Sequence, residues 1–127
     1  MERPFQQITV ERFGETFGIR LRGVDVDEKG LEELSAEMAR LIDEEGGRRL
    51  ILNLGPQEPV CLYSVFLARL IHLQRRLQAA GGELVLAQLS KETKKIFQVA
   101  GLEKFFRFFP DQAAALEAFE KERGGVH

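Results

Sequence analysis

The strongest constraint on this chain's fold is a pattern that occurs twice: a helical period, a Gly-Gly pair, then a dense apolar strand. In the first copy Leu31, Leu34, Met38, Leu41 and Ile42 recur at steps of three and four, Gly46-Gly47 ends the run, and Leu50-Ile51-Leu52-Asn53-Leu54 follows. In the second, Phe66, Leu67, Leu70, Ile71, Leu73 and Leu77 carry the period, Gly81-Gly82 stops it, and Leu84-Val85-Leu86 comes next. Gly46 and Gly81 lie 35 residues apart, a spacing that suits crossover units returning each strand parallel to the last. A strand apolar on both sides must be covered on both, so Leu50 to Leu54 belongs in the middle of a sheet with parallel neighbours. The likeness of the two copies is architectural and is not a sequence repeat.

The flanking segments complete the pattern. Ile8 to Phe13 and Phe17 to Arg22 alternate apolar and polar residues around a Gly14-Glu15 turn, which predicts a β-hairpin with Phe17, Ile19 and Leu21 inward and Arg20 and Arg22 in water. Asp27 is placed to cap the first helix. The segment from Gly55 to Tyr63 holds Pro56 and Pro59 and fits neither helix nor central strand. Ser90 caps a third helix with Ile96, Phe97 and Ala100 as its apolar positions and Gly101 as its stop. Phe105 to Phe109 predicts a last short strand with rings on both faces, and Asp111 caps a terminal helix carrying Ala115, Leu116 and Phe119. The expected order is ββαβαβαβα: a single α/β domain over 1–127, with a small mixed sheet of about four to five strands and about four helices. Its core should run from about residue 7 to 119, with a frayed tail over about 121–127.

Composition narrows the function classes. The chain has 127 residues, 44% hydrophobic and 30% charged, with a net charge of -2. Its basic residues are scattered, with Arg48-Arg49, Arg75-Arg76 and Lys94-Lys95 as isolated pairs, so direct nucleic-acid binding is not expected. No apolar run approaches the ~20 residues of a membrane span, and Met1 to Pro4 lacks the apolar core of a secretion signal. Cys61 is the single cysteine, which rules out an internal disulfide and a cysteine metal cluster. Cytoplasmic residence is the expectation.

Three stretches resemble a known family. Leu73-Gln74-Arg75-Arg76-Leu77-Gln78-Ala79-Ala80-Gly81-Gly82-Glu83-Leu84-Val85-Leu86 is similar to the second helix and following strand of STAS domains, the fold of bacterial anti-sigma-factor antagonists. Ser90-Lys91-Glu92-Thr93 and Val99-Ala100-Gly101-Leu102-Glu103-Lys104-Phe105-Phe106 resemble the family's next helix and the strand after it. With the hairpin, the likeness runs from about Gln7 to Phe119. It implies a STAS-like fold and a regulatory, protein-binding function. In the family, Asp-Ser-Ser-Gly or Asp-Ser-Thr-Gly opens the second long helix, and its first serine is phosphorylated by a partner kinase that doubles as the anti-sigma factor. Counting back from Arg75-Arg76-Leu77, those positions hold Tyr63-Ser64-Val65-Phe66, with Ser64 as the phosphoacceptor. Counting forward from the preceding strand, they hold Cys61, Leu62, Tyr63 and Ser64, so the loop carries about two extra residues relative to the family. Asn53 stands where the family commonly has Asp.

Two roles are open to Ser64. A phosphate adds about -1.5 to -2 charges, which a helix N-terminus accepts through its free N–H groups and dipole. Alternatively, the hydroxyl is simply an N-cap, whose removal costs ~1 kcal/mol. Against phosphorylation, the family's carboxylate is missing and Phe66 sets a large ring where the family has Gly. Cys61, Leu62, Tyr63, Val65 and Phe66, on a loop stiffened by two prolines, form the candidate partner interface; the alternative is that they fold back on the core. The expected partner is a protein, with an anti-sigma-factor serine kinase as the family's example, and homodimerisation is left open.

Other motifs carry no chemistry. Asp25 to Gly30 opens like a calcium loop but has Lys29 and Ala36 at two positions that need oxygen ligands. His72 has no second ligand at helical spacing, Cys61 has no activating base, and the Gly-Gly pairs lack a phosphate-loop lysine. No catalytic residues, metal or cofactor are assigned, and no enzyme activity is expected. Two alternatives remain: a non-phosphorylated STAS scaffold subunit of a stressosome-like or lipid-transport complex, and a small-ligand or nucleotide binder at the sheet's carboxyl edge.

Overall fold

The computed structural model describes Phe5 and residues 7–22, 28–55 and 64–124. Along the chain run β1 (Ile8–Phe13), β2 (Thr16–Leu21), α1 (Glu28–Asp43), β3 (Arg49–Asn53), α2 (Ser64–Ala79), β4 (Glu83–Ala87), α3 (Lys91–Val99), β5 (Phe108–Phe109) and α4 (Gln112–Gly124). The five strands form one sheet in the order β1-β2-β3-β4-β5. The β1–β2 pair is antiparallel and all later pairs are parallel, so the ββαβαβαβα order and the mixed sheet stand as expected. Strand β3 is central, and Leu50, Ile51 and Leu52 are fully buried.

The alternation of side chains across the sheet sorts them into two cores. Ile8, Phe17, Ile19, Leu50, Leu52, Leu84 and Leu86 point to the face covered by α1 and α2 and meet Leu34, Met38, Leu41, Leu70, Leu73 and Leu77 there. Ile51, Val85 and Ala87 point to the other face, where α4 covers them with Ala115 and Phe119. Gly46 and Gly81 end α1 and α2 at φ +76° and +83°, backbone angles that cost an L side chain and cost glycine little. At the start of α3, Ser90 Oγ accepts from the Thr93 N–H at 3.1 Å; at the start of α4, Asp111 Oδ1 accepts from the Ala114 N–H at 2.8 Å. The Asp27 cap lies outside the described residues.

The last strand is shorter than Phe105 to Phe109. Only Phe108 and Phe109 pair with β4, because the chain turns just before them: the Phe105 N–H donates to the Leu102 carbonyl at 2.9 Å. Phe105 is exposed, while Phe106 and Phe108 pack edge-on against Phe97, with ring centroids 6.0 and 5.7 Å apart. A two-residue partner leaves the β4 edge bare at Leu84. Buried Gln74 of α2 fills the gap: its Nε2 donates to the Leu84 carbonyl at 2.9 Å and its Oε1 accepts from the Leu84 N–H at 2.8 Å. A side-chain amide thus stands in for the missing strand.

Two helices depart from expectation. In α3 only Phe97 and Thr93 are buried; Ile96 and Ala100 face outward. Residues 121–124 of the tail expected to fray are helical, since α4 continues to Gly124; the rest of that tail lies outside the described residues. Arg107 holds that last turn, donating from Nη1 to Glu122 Oε2 at 2.7 Å while its Nη2 binds Glu83 Oε1 at 2.7 Å.

Candidate functional site

The carboxyl ends of β2, β3 and β4 lie side by side at one rim of the sheet, where the chain leaves β3 on its way to α2, and that rim is the candidate site. The Arg20 guanidinium reaches across it, donating to Gln88 Oε1 at 2.7 Å and to the Gly55 carbonyl at 3.3 Å. Gln88 is the one non-glycine with positive φ among the described residues, at +59°. That left-handed turn costs roughly 1–2 kcal/mol and reverses the chain immediately after β4. The β3–β4 ladder extends one step further, with the Leu54 N–H donating to the Ala87 carbonyl at 3.0 Å.

Beneath the rim lies a polar relay that the sequence did not disclose. Gln112, the first residue of α4, donates from Nε2 to Glu11 Oε1 at 2.9 Å, and its Oε1 accepts from Asn53 Nδ2 at 2.8 Å. Asn53 Nδ2 also donates to the Ile19 carbonyl at 3.2 Å. The Glu11 carboxylate can only accept, which orients the Gln112 amide and leaves Asn53 facing two acceptors. An aspartate there would set an anionic oxygen against both of them. This accounts for Asn53 where the family commonly has Asp. Asn53 is 2% exposed, and its Oδ1 has no hydrogen-bond partner. One legible hint existed: a β-strand glycine often marks a close approach, and a Cβ on Gly18 would collide with the Gln112 amide.

The predicted site residues divide into three groups. Cys61, Leu62 and Tyr63 lie outside the described residues. Ser64 and Val65 form the first positions of α2, so Ser64 lies in the first turn of the helix, one place past the N-cap position that its alternative role needs. Phe66 is corrected: it is 1% exposed and packs in the core, so its ring anchors the helix start from beneath and is not an interface residue. By the same fact it does not obstruct a partner at the surface. The first turn of α2 contains no acidic residue, whereas its last turn carries Arg76. The helix therefore presents the positive end of its dipole at Ser64 with no acid in its own first turn.

His72 is exposed. Among the described residues, no group of three or more His, Cys, Asp or Glu is placed to hold a metal ion, and no helix is long and apolar enough to cross a membrane.

Comparison with known proteins places this geometry. The STAS domain model matches residues 8–115. The putative anti-sigma factor antagonist BtrV of Bordetella bronchiseptica is 32% identical over 100 residues, covering 79% of this chain and 83% of that protein. Two solved structures share the fold. The Bacillus cell fate determinant SpoIIAA in its phosphorylated form has a TM-score of 0.66 at 23% identity, over 87% of this chain and 98% of that one. The anti-sigma factor antagonist SpoIIAA in its unphosphorylated form has a TM-score of 0.70 at 24% identity, over 94% and 99%. The family model spans the hairpin and all the parallel crossovers, and the chain belongs to the STAS domain family.

Proposed function

We propose that this chain is a regulatory protein-binding module of the anti-sigma-factor-antagonist kind, not an enzyme, and that it docks its partner where β3 leads into α2. The observation that carries the reading is the start of α2 at Ser64: a 16-residue helix whose first turn lacks any acid, raised on the carboxyl edge of a rigid parallel sheet. Such an end welcomes an anionic group from a partner or on the chain itself. SpoIIAA exists in phosphorylated and unphosphorylated forms, and BtrV is named for the same antagonist role; both support a protein partner in the same class. Cys61, Leu62, Tyr63 and Val65 are the proposed contact residues beside Ser64.

A partner serine kinase of the anti-sigma type tests both parts of the reading. The two proteins are mixed, and complex formation is measured without nucleotide. They are then incubated with ATP and the intact mass of the chain is recorded. Binding followed by a single phosphate increment, absent in Ser64→Ala, is the expected result. Binding without any increment retains the docking module and removes the phosphoswitch. No binding to the kinase overturns the antagonist reading.

A further inference from the structure

A second surface lies away from that rim, on the outward side of the paired helices α1 and α2. Each helix joins one parallel strand to the next on the same face of the sheet, so the two run in the same direction. Between them lies a groove of about 730 Å³. Small residues of α1 (Ser35, Ala36 and Ala39) form one wall, and Arg69, His72 and Arg76 of α2 form the other. The small side chains make the surface concave, the shape into which the ridge of another helix packs. The three basic residues sit at i, i+3 and i+7, strung over roughly 10 Å of helix axis at 1.5 Å per residue.

That spacing decides the occupant. A small anion needs basic groups converging on one point, and here they form a stripe two turns long. Carboxylates repeated along a helix match it, and the small-residue wall accepts the apolar side of the same helix. Arg69 supplies an independent sign: its Nε is buried and has no hydrogen-bond partner, a donor that a properly folded chain seldom leaves without an acceptor. Arg76 shares a half-exposed ion pair with Asp43, a contact worth little in water that an incoming carboxylate can join or displace, and Glu32 is the acidic residue in the lining. We propose that this groove is a second docking site, and that it takes an acidic amphipathic helix of a partner protein with its carboxylates against Arg69, His72 and Arg76.

The full chain, labelled with nitrogen-15, can be titrated with two synthetic helical peptides. Both carry the same leucine face; one has Glu and the other Lys at the i, i+3 and i+7 positions beside it. The expected result is amide shifts at residues 35–39 and 69–76 with the Glu peptide alone, and affinity at least tenfold weaker in Arg69→Gln. Ala36→Leu, which fills the groove, should block the same shifts; if it does not fold, Arg69→Gln still reads the charge. Equal binding of both peptides, Glu-peptide shifts confined to other surfaces, or no binding overturns the proposal. So does inorganic phosphate or a short single-stranded RNA moving the same amides at comparable affinity, because either would make the groove a general anion site.

Discussion

The two faces of the sheet are built differently. The face under α1 and α2 is a continuous apolar core of buried leucines, isoleucines and phenylalanines. The face under α4 has five buried members among the described residues, Ile51, Val85, Ala87, Ala115 and Phe119, and is held in addition by polar ties: Asn53 to Gln112 to Glu11, and Arg107 to Glu83 and Glu122. Hydrophobic burial is non-directional and scales with area, so the first face supplies most of the stability. Hydrogen bonds and ion pairs add little net energy but are directional, so the second face fixes where α4 sits. The terminal helix is thus positioned more than it is buried.

The largest expected effect lies on the apolar face. Phe97→Ala removes a fully buried ring and its edge-on contacts with Phe106 and Phe108 and should cost about 3–5 kcal/mol in urea denaturation. Next comes Gln74→Ala, which strands the Leu84 N–H and carbonyl inside the protein; a loss of about 2–3 kcal/mol is expected, with faster hydrogen exchange along the β4 edge. On the rear face, Gln112→Ala should cost only about 1 kcal/mol, visible mainly as faster exchange near Ile19 and Asn53. A loss as large as that of Phe97→Ala would break the contrast between the faces.

The smallest effect depends on pH. Arg107 holds the Glu122 carboxyl below its usual range chiefly through their hydrogen bond, which outweighs an opposing burial cost; charge attraction to Arg107 and Arg49 adds to the lowering. A carboxylate depressed in the folded state contributes stability that is present above its unfolded pKa of ~4.3 and lost as pH falls through the lower folded value. The pair is largely exposed, so the gain is at most ~1 kcal/mol. The Arg107 pKa is raised by the same partners; its contribution disappears only at alkalinity beyond any working range. Glu122→Gln should therefore lower neutral-pH stability by at most ~1 kcal/mol, leave stability below the folded pKa nearly unchanged, and so flatten the acid limb of the unfolding curve slightly.

The apolar face was legible in the sequence because its code is local. Leu50 to Leu54, Leu84 to Leu86 and the Gly-Gly stops reveal strand, helix and crossover through spacing alone. The Asn53–Gln112–Glu11 relay joins residues up to 101 positions apart, and no local period records such a pairing. Phe66 was misplaced for a related reason: its position suggested an exposed loop end, while its place in the series Phe66, Leu70, Leu73, Leu77 gave it to the core. Phe105 to Phe109 alternated like a strand, but the turn at Leu102 to Phe105 took the first residues out of the ladder.

The central claim is that the partner meets this domain where β3 passes into α2. Its most direct test is to map amide chemical-shift changes on the labelled chain as an anti-sigma-type serine kinase is added. The account predicts that the largest changes fall between Asn53 and Phe66 and spread to Arg20 and Gln88 across the rim. Changes concentrated on α4 and the outer faces of β1 and β5, with residues 53–66 undisturbed, would contradict it.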